Sequence, residues 1–169
     1  MLAVAEKLSL AEFQEKYGKG ETSFEYWRGQ AIPKAMPTWL HGRLQIIIGA
    51  LLAEEGYEAG SEVELRIAGD ARPKPDIIAT KGDADELYPT KAMEVVVEIL
   101  SADDAMGYVI EKCRAYQTWG FAAIYVLDPA SRSLFQWTGR ALEVSQFLTS
   151  VPAAKIWEQL DKAKLRKRE

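Results

Sequence analysis

Met93-Glu94-Val95-Val96-Val97-Glu98-Ile99-Leu100 is dense in β-branched and apolar residues and too short for an ordinary helix, so it reads as a strand buried on both faces. Glu98 is the anomaly in it. A carboxylate in such a strand costs several kcal/mol unless it is paired, hydrogen-bonded or bound to a metal. Upstream, Pro73-Lys74-Pro75-Asp76-Ile77-Ile78-Ala79 puts a second carboxylate at the start of another short apolar strand, and the residue before each proline is held extended. Downstream, Ser101-Ala102-Asp103-Asp104 has the form of a helix start, and the helix it opens runs to about Trp119, before Gly120.

Met106, Val109, Ile110, Cys113 and Tyr116 form the apolar stripe of that helix. At about 100° per residue Glu111 points away from the stripe into solvent, whereas Lys112 flanks it. The strand places Glu98 roughly 10 Å before Ser101, at about 3.3 Å per residue. The helix places Lys112 roughly 13 Å beyond Asp103, at about 1.5 Å per residue. A helix folded back antiparallel over the strand therefore sets the two at nearly the same height, and Asp76, Glu98 and Lys112 can form one cluster.

These residues carry a resemblance. Pro-Asp, then Val-Val-Val-Glu-Ile-Leu-Ser, then a helix with Lys112-x-x-x-Tyr116 and a strand ending in Asp128-Pro129, resembles the putative restriction endonuclease domain family of the PD-(D/E)xK nuclease superfamily. The resemblance extends from about Phe24-Glu25-Tyr26 and the Leu40-His41 helix to Leu142. It implies a restriction-endonuclease-like α/β fold, a central mixed sheet flanked by helices, and metal-dependent hydrolysis of phosphodiesters with DNA as the expected substrate. Where the superfamily pattern puts its lysine, two residues after the glutamate, this chain has Leu100. The resemblance implies that Lys112 replaces it.

The rest of the chain is consistent with one domain over residues 1–169, with a core at about 22–145 and a closing helix at 152–168. Residues 8–19 read as a helix capped by Ser9, and Phe24 to Ile32 as a hairpin turning at Arg28-Gly29. Thr38 to Glu55 repeats Leu40, Leu44, Ile47, Ile48, Leu51 and Leu52 at helical spacing, with Gly56 as its stop. Glu62 to Ala68 alternates strictly, as a strand with one wet face would. Lys81 to Thr90 is a polar loop. Phe121–Leu127, Ser133–Trp137 and Leu142–Val144 read as further strands.

Composition narrows the setting. No run of about 18 apolar residues exists to span a membrane, and no secretion signal is visible, so a cytoplasmic protein is expected. Cys113 is the only cysteine and lies on the apolar stripe, which favours a packed thiol. A net charge of −4 argues against strong non-specific nucleic-acid binding, but a local basic rim can serve a nuclease. Arg66, Arg72, Lys74 and Lys81 flank the expected site in sequence, although solvated surface charge is at least as good a reading of them. The basic run from Lys162 to Arg168 reads more readily as a solvated helix end than as a nucleic-acid arm.

Three functions fit these residues. In a Mg²⁺-dependent nuclease, with Mn²⁺ as a substitute ion, Asp76, Glu98 and the Ile99 carbonyl are the expected ligands and Lys112 stabilises developing negative charge. Lys74 is a rival for that lysine, because it shares a strand face with Asp76. Glu25 is a further candidate as an outer acidic ligand, with a surface strand position slightly favoured. His41, the sole histidine, is another, but a hydrogen-bonded helix position is favoured over zinc because no second histidine or nearby cysteine accompanies it. In the second function the fold is retained without catalysis as a binding or regulatory partner, and Glu98 and Lys112 are a buried ion pair. Asp76 favours the first, since two adjacent carboxylates repel unless a cation joins them. A different two-carboxylate hydrolase is the weakest, as no Ser/His or Cys/His arrangement accompanies the acids. A homodimer would suit a small domain that cuts both strands.

Overall fold

A computed structural model describes residues 7–165, with the side chains of 163–165 left aside. It shows a mixed α/β architecture around a six-stranded sheet. The elements before its centre are α1 (Leu10–Tyr17), the hairpin β1 (Phe24–Trp27) and β2 (Gln30–Pro33), α2 (Trp39–Glu54), β3 (Glu58–Gly60), β4 (Ala71–Arg72) and β5 (Ile77–Thr80). Then come β6 (Val95–Ile99), α3 (Met106–Trp119), β7 (Ala123–Asp128), β8 (Ser133–Trp137), β9 (Leu142–Val144), β10 (Phe147–Leu148), β11 (Val151–Pro152) and α4 (Ala154–Leu165). The order across the sheet is β3-β5-β6-β7-β8-β9. Only β6 and β7 run parallel, which requires the crossover that α3 provides.

Alternation along β5 and β6 divides the core. Ile77, Ala79, Val95, Val97 and Ile99 pack against α2 and α4, while Ile78 and Val96 pack on the α3 side with Val109, Cys113 and Tyr116. The α2 residues Leu44, Ile47, Ile48, Leu51 and Leu52 are buried as their spacing predicts, and each such side chain contributes about 1.5–3 kcal/mol. Leu40, the second residue of α2, is instead 39% exposed. Burial also raises the Cys113 thiol to about 12, so it is a packed, unreactive group.

A smaller sheet of order β2-β1-β4 stands against α3. Its hairpin turns at Arg28 and Gly29, both with positive φ (49° and 87°), the geometry of a type I′ turn. Phe13 stacks on Tyr26 with ring centroids 5.2 Å apart, while Trp27 packs edge-on to Tyr108 at 5.4 Å. One side of β1 thus faces α1, and the side carrying Glu25 and Trp27 faces α3.

Two local expectations require correction, and one hairpin had none. Glu62 to Ala68 joins no ladder and is irregular, with bends at Glu62 and at Ile67-Ala68. Its partner segment is 73–75, to which Glu62 N–H and Leu65 N–H donate at Pro75 and Pro73; the two prolines have no N–H to return. The helix expected from Ser101 begins at Met106, because Asp104 binds the Ser101 N–H at 2.7 Å in a separate turn and Ala105 is the actual N-cap. The hairpin β10-β11 was hidden by the shortness of its strands. At the C-terminus, Lys162 pairs with Glu158 at 2.6 Å on an exposed face; residues 166–168 of the basic run lie outside the described residues. No helix of the described residues is long and apolar enough to cross a membrane.

Candidate functional site

The antiparallel register pairs Ile77 with Val97 and Ile78 with Val96, so its continuation by one residue sets Asp76 opposite Glu98. Their side chains then project from the same face, on the α3 side, and like charges in such a pair repel. Both residues are buried, at 2% and 6% exposure, yet both line a cleft of about 900 Å³ between the hairpin, the start of α2, the end of β6 and α3. The architecture therefore forces two carboxylates together at the wall of a cleft.

Each acid has its own partners. Asp76 Oδ2 accepts the Ile99 N–H at 2.6 Å, while Oδ1 lies 3.0 Å from His41 Nε2 and 3.2 Å from Lys34 Nζ. Burial alone would raise its pKa, but His41, Lys34 and the Ile99 N–H bring Asp76 down to about 2. Glu98 Oε1 accepts from Lys112 Nζ at 2.9 Å and from the Tyr116 hydroxyl at 2.5 Å. Burial, reinforced by Asp76 and Glu25 and only partly opposed by Lys112, pushes Glu98 up to about 7. Among the described residues, Glu98 Oε2 has no hydrogen bond or ion pair.

A third carboxylate completes the cluster. Glu25 Oε1 accepts the Lys74 N–H at 2.6 Å; Oε2 accepts the Tyr108 hydroxyl at 2.7 Å and lies 3.5 Å from Lys112 Nζ. Lys112 is therefore buried between two glutamates. Burial would lower its pKa, but Glu98 and Glu25 outweigh that and keep it protonated. Tyr108, Lys112 and Tyr116 are spaced four apart, so one face of α3 supplies all three groups.

The structure thus brings together Asp76, Glu98 and Lys112, with the backbone of Ile99 beside them. Glu25, for which a surface position was favoured, is 2% exposed and belongs to the cluster, because the face of β1 that carries it is covered by α3. His41 is hydrogen-bonded, as favoured, and its partner is Asp76. Lys74 takes part through its backbone, while its Nζ turns away to Ser23 Oγ at 3.3 Å. Glu111, exposed as expected, also accepts the Trp27 indole N–H at 3.0 Å. Three of the basic residues that flank the site in sequence have partners outside the cluster: Arg66 stacks on Tyr88, Arg72 binds the carbonyls of Ala68 and Ala71, and Lys81 sits over Tyr57. Asp103, Asp104, Glu111 and Asp128 line the cleft instead.

Sequence reasoning missed Lys34, Glu62, Tyr108 and Tyr116. The tyrosines had a signal, since a buried phenol needs an acceptor and both lie one turn from Lys112. Lys34 and Glu62 had none, because tertiary folding alone carries them to Asp76. Single ligand atoms of His41, Glu62 and Asp76 lie within 4.8 Å of one another. Carboxylate oxygens opposed across two strands at a cleft wall, with a spare oxygen on Glu98, are a donor set that fits a hard divalent cation.

The carboxylates predict an unusual stability profile without metal. A raised Glu98 pKa means that the folded state binds more protons than the unfolded chain between 4.5 and about 7, so stability should fall as pH rises through that window. His41, also raised by Asp76, acts in the same direction above its ordinary 6.5. Asp76, lowered from 3.8 to about 2, has the opposite sign, and about 2 kcal/mol should be lost as pH falls across that interval. Urea unfolding in chelator should therefore show greatest stability near pH 4–5; a steady rise up to pH 8 would contradict these charges.

Known proteins share the fold. The sequence pattern of the Uma2 family, described as "Putative restriction endonuclease", matches residues 10–155. A crystal structure of a protein from Anabaena variabilis ATCC 29413, described as a putative nuclease belonging to DUF820, superposes with a TM-score of 0.68 at 23% identity. The match covers 88% of this chain and 92% of that one, and it shows a shared fold. No curated protein matches the chain. With 146 of its residues matched by the family pattern, from 10 to 155, this chain belongs to the Uma2 family.

Proposed function

We propose that the chain is a metal-dependent nuclease acting on DNA, with Mg²⁺ as the physiological ion and Mn²⁺ as its substitute. The observation that carries this reading is the opposition of Asp76 and Glu98 at the cleft wall, with the Lys112 ammonium 2.9 Å from Glu98. Asp76, Glu98 and the Ile99 carbonyl would hold the ion, whose chemistry would be to polarise a phosphate and acidify a water. Asp76 is fixed for this task by the Ile99 N–H and His41, and remains ionised throughout the neutral range.

Lys112 supplies the fixed positive charge. Its position between Glu98 and Glu25 keeps it protonated, so it offers a donor to a phosphate oxygen that gains charge. Tyr108 and Lys74 N–H hold Glu25, and Glu25 in turn orients Lys112. The acidic groups along the cleft oppose a polyanion, so the counter-charge that a bound ion supplies is needed for entry as well as chemistry. A cytoplasmic setting and, for duplex cleavage, a pair of chains accompany this reading.

One observation favours a second reading, a binding or regulatory protein without catalysis. Lys112 and Lys34 already stand against Glu98 and Asp76, so the acids have partners without any metal. Incubation with supercoiled plasmid and single-stranded DNA in Mn²⁺ separates the two. The nuclease reading expects nicking or degradation that stops with chelator and drops on the order of 10²-fold or more in Glu98→Gln. Absence of cleavage with every substrate would favour the second, and cleavage unchanged by Glu98→Gln would not come from this site.

A further inference from the structure

Lys34 leaves the end of β2 and turns its ammonium inward, where only 13% of the side chain is exposed. Its Nζ lies 3.2 Å from Asp76 Oδ1 and 3.8 Å from Glu62 Oε1, and donates to the Lys74 carbonyl oxygen. The ammonium thus makes one hydrogen bond, one close ion pair with Asp76 and a longer one with Glu62. His41, Glu62 and Asp76 bring ligand atoms within 4.8 Å of one another, and two of the three are the acids that Lys34 meets. One imidazole and two carboxylates are a donor set that transition metals take readily.

The surroundings of that point are built. Glu62 has a φ of 56°, a left-handed conformation that a non-glycine residue enters at a cost, and Gln45 Nε2 holds its carboxylate at 3.2 Å. His41 stands in the first turn of α2, where the Thr38 hydroxyl accepts its backbone N–H at 3.1 Å, and its ring meets Asp76 Oδ1 at 3.0 Å. Asp76 and Glu62 thus both face the ammonium, and Asp76 is shared between it and the His41 ring.

We propose that His41, Glu62 and Asp76 form a second cation site whose resident cation is the ammonium of Lys34, so that the chain accepts one divalent ion where a bare trio would accept another. Its meaning for catalysis rests on the nuclease reading. Two-metal nucleases draw positive charge from a second ion beside a shared carboxylate. Here the charge is covalently attached, cannot be lost to chelation, and sits on Asp76. The occupancy itself does not depend on that reading.

The test removes the charge and keeps the stem. Zn²⁺ titration of the parent, Lys34→Met and Lys34→Arg would be followed by calorimetry and by the ¹⁵N signals of the ring of His41, the only histidine of the chain. In the parent and in Lys34→Arg, the His41 Nε2 signal should show no sign of ligation. Lys34→Met should take up one more equivalent of Zn²⁺ than the parent, with a ligation shift at Nε2, and His41→Ala in that background should abolish the extra equivalent. A parent that binds no metal while Lys34→Met binds one would uphold the proposal and sink the nuclease reading. Equal stoichiometry in parent and Lys34→Met, or His41 ligated in the parent, would overturn the proposal.

Discussion

Lys112→Ala should destabilise the metal-free protein by about 3–5 kcal/mol at pH 8, the range for removing one member of a buried charge cluster. The lysine is 6% exposed and stands 2.9 Å from Glu98 and 3.5 Å from Glu25, so its loss leaves two buried carboxylates without their shared cation. The deficit should shrink at pH 5. Glu98, already raised to about 7 with Lys112 present, would rise further without it and be neutral at that pH. Urea unfolding of parent and variant at both pH values gives the comparison, with Lys112→Met as a control for lost packing. A cost below about 1 kcal/mol at pH 8, the range of exposed pairs, would show that Lys112 is not the buried neutraliser. For cleavage assays this means working below the melting temperature of the variant, where a loss on the order of 10²-fold or more in rate is expected.

Asp76→Asn should nearly abolish binding of Mn²⁺. Asparagine keeps the size of the side chain and can still accept the Ile99 N–H, so the fold should survive. It removes the charge that His41 and Lys34 meet and that opposes Glu98 across the strands. Changing an outer-shell partner of a metal site typically costs about 10–100-fold in affinity, and a direct ligand should exceed that. The same substitution removes one source of the raised Glu98 pKa, so the metal-free variant should also lose less stability between pH 5 and 8 than the parent. Full Mn²⁺ affinity in Asp76→Asn would place the ion elsewhere.

The parts of the site that could be read from the sequence were those with a local cost. Glu98 interrupts an apolar run, and Asp76 follows Pro75 into a second one; each is misplaced on purely local grounds. Lys112 was reachable because strand and helix have fixed rises. The expected meeting occurs at 2.9 Å even though α3 begins at Met106 and not near Ser101, since residues 101–105 turn without carrying the chain far. Glu25 was harder. Between aromatic residues on a short strand, nothing local says which face is covered, and the covering helix lies more than 80 residues further on. Lys34 and Glu62 reach Asp76 only through the hairpin and the irregular segment after β3, which no periodicity describes. The failed strand at Glu62 to Ala68 has the same origin, because the alternation was real but the proline-containing partner could not form a ladder.

The most direct test is calorimetric titration of the parent with Mn²⁺ near pH 7, in two buffers of different ionisation enthalpy, beside Glu98→Gln. Ion binding between Asp76 and Glu98 requires both carboxylates ionised, and burial pushes Glu98 in the free protein up to about 7. The parent should therefore bind Mn²⁺ with partial release of a proton, affinity should rise with pH through neutrality, and Glu98→Gln should lose both the binding and the proton. Absence of binding in the parent, or binding of equal strength without proton release in Glu98→Gln, would show that Glu98 is only the ion-pair partner of Lys112.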